Sequence, residues 1–367
     1  MSQSKGVDKV FLVTVLILVF FGFVVFLSAS MGILAKDTAK FSSVAFKQTF
    51  FGLILGLISC FVFSKIDYRA LKKFSFYIFL ASVLVSILVF IPHIGISLNG
   101  AKRWISILGI SFQPAEFLKI GFVLYWAAWL TYAKDKVRDF KYGLLPFLIL
   151  LAVTGGLILA QPDTDSFIIL FLSGLAMYIV AGGRFKHMIV LFLIGVIGLT
   201  FLAYTRPYVM SRLTTFVRPS ENSLSSSYQL QQAQIAIGSG KMFGRGLGQS
   251  IQKFKFLPES VSDAVFAVAG EELGFVGCTF IILLFLFFVF RSFRIALQAQ
   301  DLFGGLLVVG IVIIIMSQSF INIASMVGVM PLSGVPLAFF SQGGTALFAV
   351  LAEVGIILNI SRFKKIQ

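Results

Sequence analysis

The chain has 367 residues, 58% of them hydrophobic and only 12% charged, with a mean hydropathy of +0.99. A soluble domain carries about twice that charge, so the composition excludes an ordinary soluble protein and points to one polytopic membrane bundle. The net charge of +15 is no nucleic-acid signal here, because its meaning depends on where each Lys and Arg lies relative to the membrane. Cys60 and Cys278 both sit in apolar blocks, which excludes a disulfide framework and indicates small core thiols.

Apolar blocks long enough to cross a hydrocarbon core as helices recur along the chain. They predict about ten spans, at roughly 10–34, 44–63, 74–91, 113–132, 144–160, 166–181, 188–205, 263–290, 302–330 and 345–360. The first is too long for the apolar core of a cleaved signal and reads as a retained span. Gln161-Pro162-Asp163 and Gly182-Gly183 supply the tight turns around the sixth span. Gly52 and Gly56 form a small-residue pattern suited to helix packing.

Basic residues set the orientation. One set of loops carries Lys5 and Lys9, Lys65 to Lys73, Lys134 to Lys141, Arg184 and Lys186, Arg291 and Arg294, and Arg362 to Lys365. The positive-inside rule makes that set cytoplasmic, with both termini inside. The prediction is an all-α polytopic membrane protein, a single domain, with one long extracytoplasmic loop at 206–262 between spans 7 and 8. Long loops translocate regardless of charge, so Arg206, Arg212, Arg218, Lys241, Arg245, Lys253 and Lys255 do not overturn this topology. They form a basic platform suited to a pyrophosphate or an anionic headgroup; simple attraction to anionic lipid is the alternative.

Within that loop, Ser223–Ser227 reads as a polar hinge and Tyr228–Ile237 as a short helix lying on the membrane surface. The glycine-rich run Gly238–Gly248 either brings backbone amides to a phosphate or is plain turn chemistry. It is no P-loop, since Met242 stands where Ser or Thr should follow Gly-Lys.

Unusual polar residues gather at the predicted outer ends of the spans. Asn99–Ile105 holds Arg103, and Gln113–Lys119 starts a helix at Pro114 with Glu116 and Lys119 as i,i+3 neighbours. That pair reads as a charge pair lining an outward cavity, against a self-neutralising pair that aids insertion. In the turn Gln161–Ser166, Asp165 reads first as a helix cap and Asp163 as the residue more open to a role in a site. Pro331–Gly344 is apolar yet rich in breakers, as in a re-entrant or surface-lying segment, tolerable only where it lines protein or water. Glu353 must face the bundle. The stretch Phe254–Gly274 brings Glu259, Asp263, Glu271 and Glu272 to one membrane edge, four of only 15 acidic residues. The two histidines, His93 and His187, fall on opposite sides of the predicted membrane, which disfavours a His-rich metal site or a Ser-His-Asp triad. Carboxylates must then supply any base.

Four motifs in order, NGAKRWI with QPAEFLK, QPD, LPESVSDAVFAVAGEELG and PLSGVPLAFFSQGG, resemble the SEDS family (shape, elongation, division, sporulation) of bacterial cell-wall polymerases. The resemblance runs from about residue 10 to Arg362 and is closer to the division branch, FtsW, than to the elongation branch, RodA. It implies peptidoglycan glycosyltransfer on the outer leaflet of the cytoplasmic membrane. The substrate would be lipid II, with undecaprenyl pyrophosphate released. Asp263 matches the family's catalytic carboxylate and would act as general base on the acceptor 4-hydroxyl. Glu116 and Lys119 match its functionally important pair. The leaving group needs positive charge or a divalent cation, Mg or Mn, with no tightly bound cofactor; Arg103, Lys119, Arg212, Arg218 and Lys241 are candidates, with Asp163, Glu259, Glu271 and Glu272 as charge support. A class B penicillin-binding transpeptidase and other division-complex membrane proteins are the implied partners.

Around that site the sequence departs from the family pattern. Val261-Ser262 replaces His-Thr, Ala264 replaces an aromatic residue, and Thr164-Asp165-Ser166 replaces an apolar residue, Gly and Thr. Gln342 and Thr345 replace Tyr and Ser. These changes fit a divergent lineage or a degenerate paralogue, and two other functions stay open: a lipid-linked precursor transporter and a non-catalytic division scaffold.

Overall fold

The structure is a computed structural model that describes residues 6–98, 101–107, 110–217 and 225–363. Arg218 and the first part of the Ser223–Ser227 hinge lie outside them. Each predicted apolar block coincides with a helix. Helix α1 (Lys9–Leu34) is capped by Asp8, which accepts from Phe11 N at 3.0 Å. Helices α2 (Thr38–Phe46) and α3 (Leu55–Lys65) run together through a π-helical stretch at Lys47–Ile54. Gly52 and Gly56 let this run press on the last helix, Gly344–Ser361, where a Cβ on Gly56 would sit 2.6 Å from Leu351. Helix α4 (Tyr68–Ile87) starts earlier than predicted because Asp67 caps it.

After α4 the chain forms a three-stranded antiparallel sheet that the all-α reading did not anticipate. Strand β1 (Gly95–Leu98) pairs with β2 (Ala101–Ile107), which pairs with β3 (Ile110–Phe112). The signal was present: β-branched residues alternate on both sides of Asn99-Gly100, a strong hairpin dipeptide.

Helices α5 (Pro114–Ala133), α6 (Leu145–Ala160) and α7 (Thr164–Val180) pack in the interior, and α8 (Phe185–Thr205) lies at the periphery with Phe192, Ile197 and Phe201 exposed. The long segment that follows carries α9 (Pro207–Val217), α10 (Ser225–Ser239) and the short α11 (Gln252–Lys255). The bundle closes with α12 (Val265–Gln298), α13 (Leu302–Val327) and α14 (Gly344–Ser361). Among the described residues, eight continuous helical runs are long and apolar enough to cross a membrane, the α2–α3 run counting as one and α6 counted from Phe140. Helix α7, at 17 residues, is shorter, and α5 carries Glu116 and Lys119. Helices α13 and α14 are the most enclosed and form the centre of the core.

Two segments of the long loop pack on the bundle. Helix α10 turns one face inward: Leu230, Ala233 and Ala236 are buried where it packs on α12 and α13. The glycine-rich run is built of turns. Gly244, Arg245 and Gly246 donate their N–H groups to the carbonyls of Gly240, Glu271 and Glu272. In return, Lys241 and Met242 carbonyls accept from Phe275 and Val276, the amides freed where α12 kinks at Gly274 (φ 65°). A Cβ on Gly274 would stand 2.2 Å from Gly244 N, so glycine here allows backbone contact.

Candidate active site

The polar motifs converge at one end of the bundle, around a cavity of about 690 Å³. Asp263 lies in its wall, one residue before the position that leads into α12. The backbone beside it is pinned from two sides. Asn322 on α13 donates to Asp263 O at 2.8 Å, and Ser341 Oγ donates to Ser262 O at 2.5 Å. Gln342 N donates to Val261 O at 2.8 Å. Asn322 also donates to Val335 O, so one amide fixes both Asp263 and the 331–343 segment. Glu259 adopts a left-handed conformation (φ 50°) and accepts from Ser262 Oγ at 2.7 Å. Such strain persists only where surrounding contacts enforce it, as they do here.

Burial pushes the Asp263 carboxyl up to about 7, and the neighbouring negative charge of Glu259 adds to the rise. Arg212 opposes it, Asp165 reinforces it, and Arg103 opposes it. A carboxyl held there is ionised above neutral pH yet retains real affinity for a proton, which suits a general base.

Of the residues expected at the site, Asp263, Glu259, Arg103 and Arg212 line this cavity. Arg103 is braced by donating Nε to Gln161 O at 3.2 Å and Nη2 to Pro162 O, and it lies 3.8 Å from Asp163. The two aspartates of the turn exchange their expected roles. Asp163 is the cap of α7, accepting from Ser166 N at 3.2 Å and Ser166 Oγ at 2.9 Å. Asp165 pairs with Arg212 at 2.9 Å and accepts from Gly334 N. The reason is where α7 begins: one residue after Asp163, which leaves Asp165 inside the first turn.

Other expected residues lie elsewhere. Glu116 and Lys119 do not line the cavity. They form a buried pair at 2.8 Å, and Lys119 also donates to Gln318 Oε1 at 2.7 Å. Gln318 in turn donates to Pro336 O at 3.0 Å, so the pair braces the 331–343 segment from below. Glu353 is buried on α14 within electrostatic reach of both. Glu271 and Glu272 are also absent from the cavity lining. Glu271 accepts from Ser250 Oγ, Ile251 N and Gln252 N, and Glu272 from Ser28 Oγ, Ser250 N and Lys253 Nζ at 2.6 Å. They lock α11 and the glycine-rich run against α1 and α12. Lys241 sits in a separate surface depression formed by residues 239–245.

The cavity also takes in Lys47 and Gln48 of the π-helical stretch and Gln229 of α10, none of them expected at the site, together with Gln342 and Thr345, two of the departures from the family pattern. Gln48 holds the breaker-rich segment by donating to Ser341 O and accepting from Gly343 N. Thr345 Oγ1 is buried without a hydrogen-bond partner. The polar pair Lys47-Gln48 at the start of an apolar span was the available signal. Among the described residues, no group of three or more His, Cys, Asp or Glu side chains converges to hold a metal ion.

A bundle of long apolar helices with a cavity lined by carboxylates and guanidinium groups defines a multi-pass membrane protein with a charged site. The FtsW/RodA/SpoVE family, described as cell cycle proteins, matches residues 8–366, and the chain belongs to that family. It is 36% identical over 364 residues to a probable peptidoglycan glycosyltransferase FtsW from Geobacter sp. (strain M18), covering 98% of both chains. It is 35% identical to stage V sporulation protein E of Bacillus subtilis (strain 168) over 99% of both. Among solved structures it is similar to a chain of a peptidoglycan synthase complex that coordinates polymerization and crosslinking (TM-score 0.79, 27% identity, 98% of both chains). It is also similar to the rod shape determining protein RodA of Thermus thermophilus (TM-score 0.72, 26% identity, 98% of both).

Proposed function

We propose that this chain is a peptidoglycan glycosyltransferase of septal wall synthesis that polymerises lipid II in the Asp263 cavity, on the extracytoplasmic face of the cytoplasmic membrane. The observation that carries the reading is Asp263 itself: a desolvated carboxyl pushed up to about 7, in a cavity it shares with two guanidinium groups.

The chemistry follows from that set. The Asp263 carboxylate takes the proton from the acceptor sugar 4-hydroxyl. The oxygen attacks the anomeric carbon of the lipid-linked donor as the bond to the pyrophosphate breaks, and undecaprenyl pyrophosphate leaves with the electron pair. A single displacement inverts that carbon. Arg103 and Arg212 meet the developing negative charge, and Lys47 adds a third cation at the wall. Thr345 Oγ1 is available to a sugar hydroxyl. A divalent cation, where the reaction uses one, would add positive charge that stabilises the leaving pyrophosphate. The relatives' assignment to peptidoglycan synthesis, and a structural neighbour drawn from a synthase complex, support a class B transpeptidase as the partner that crosslinks the product.

The test is to purify the chain with that transpeptidase and incubate it with lipid II and a divalent cation, beside Asp263→Ala. Polymer from the wild type alone supports the reading. Polymer from both removes Asp263 as base. No polymer from either, with a positive family control, favours the transporter or scaffold alternatives.

A further inference from the structure

Asp165, in the run that departs from the family pattern just after Gln161-Pro162-Asp163, occupies a junction of three segments. Its Oδ2 accepts from Arg212 Nη1 at 2.9 Å and from the Gly334 backbone N–H at 3.1 Å. One carboxylate oxygen therefore joins α7, α9 and the 331–343 segment. Helix α9 is tied to α7 a second time, by the 2.5 Å contact between Tyr208 OH and Thr164 Oγ1.

The far side of Gly334 is the reacting side. A Cβ built there would lie 3.4 Å from Arg212 Nη2, 3.9 Å from Arg103 Nη1 and 3.9 Å from Asp263 Oδ2. Arg212 thus gives one amino group to Asp165 and turns the other toward the space that Arg103 and Asp263 share. The charges facing Asp263 are Glu259 from its own loop, Arg212 from α9, Asp165 from α7 and Arg103 from β2, with Lys47 on the same cavity wall. An aspartate in a direct ion pair with a guanidinium is held about 1–3 units below its ordinary value and is a weak base. Asp165 competes for that guanidinium, and burial and Glu259 then prevail at Asp263.

We propose that Asp165 is a positioning residue for the transfer step: it holds Arg212 by Nη1, keeps that guanidinium from closing an ion pair onto Asp263, and leaves Nη2 turned to the cavity for the pyrophosphate oxygens of a lipid-linked donor. The role in transfer rests on the glycosyltransferase reading above; the charge arrangement does not.

Asp165→Asn removes the competing charge, and Arg212 turns onto Asp263. At pH 7 the expected kcat/KM for polymerisation falls about 10-fold, while the acid limb of its pH profile moves down by about one pH unit. Asp165→Glu restores both. A merely structural role would lower activity without moving the limb. A second measurement needs no turnover: labelling of Asp263 by a water-soluble carbodiimide across pH, read by peptide mass spectrometry, reports its titration in each variant. Its midpoint falls in Asp165→Asn. Should that variant not fold, Arg212→Gln gives the opposite displacement, a raised midpoint. An unchanged or raised labelling midpoint in Asp165→Asn, or an unchanged one in Arg212→Gln, overturns the inference. A lowered midpoint in Asp165→Asn with no polymer from the wild type keeps the charge arrangement and sinks the glycosyltransferase reading instead.

Discussion

Asp263 and the pair Glu271 and Glu272 belong to one motif, yet the fold treats them in opposite ways. Glu272 is buried with Lys253 at 2.6 Å and accepts from Ser28 and Ser250; Glu271 accepts from Ser250, Ile251 and Gln252. These contacts give both side chains a structural role. Asp263 is fixed through its backbone, while its side chain faces a cavity with charges arrayed about it. A carboxylate saturated with donors is a fastener; one held by its main chain, with its oxygens free to meet a ligand, is available for proton transfer. Sequence proximity says nothing about which is which.

The comparison breaks most decisively at Asp263. Asp263→Ala is expected to reduce polymerisation about 10³-fold without lowering the melting temperature, checked by a lipid II assay beside thermal unfolding in detergent. Loss of stability equal to that of a Glu272 variant would erase the distinction. Glu272→Ala leaves Lys253 buried without its partner and is expected to cost about 3 kcal/mol of stability, while activity per folded molecule stays within about twofold. A fall in turnover with unchanged stability would move Glu272 into the chemistry.

The cations divide in the same way. Arg212→Ala is expected to lower kcat/KM about 30-fold, and Lys241→Ala, in its separate depression, less than about twofold; steady-state kinetics on lipid II separates the two. Equal effects would mean that the whole basic segment acts as one electrostatic funnel.

The smallest expected effect concerns pH. Asp263 is held near 7 in the folded chain against an ordinary 3.8. A raised carboxyl favours the protonated native state, so its contribution is present below about pH 4 and is lost as pH rises toward 7. Removing the charge should therefore help more at higher pH: Asp263→Asn is expected to raise the melting temperature by about 2 °C at pH 8 and by less at pH 5. Wild-type activity should instead rise through about pH 7 as the base ionises. A melting gain independent of pH would place the stabilisation elsewhere.

Much of this was legible in the amino-acid order. Ten apolar blocks reappear as helices because the length of an uninterrupted apolar run is a local property, set by the need to satisfy backbone hydrogen bonds within one segment. The concentration of polar motifs at one end, and Asp263 among them, followed from the same segmentation. The breaker-rich 331–343 segment does line protein and cavity, as irregular backbone at that depth must.

What the tertiary structure alone decided is which polar groups meet. Asp163 and Asp165 differ by two positions in a turn, and their roles hinge on the residue at which α7 begins, a boundary that propensity cannot fix so finely. Glu116 and Lys119 were recognisable as a pair, but whether a pair lines a cavity or braces a segment from below depends on α13 and on Pro336, some two hundred residues away. Lys47 and Gln48 begin the π-helical stretch and join the site where it meets the 331–343 segment, Gln48 bonding to Ser341 and Gly343. Apolar periodicity is written residue by residue, whereas the solvation and pairing of a charge depend on what distant segments bring to it, and only the packed bundle supplies that.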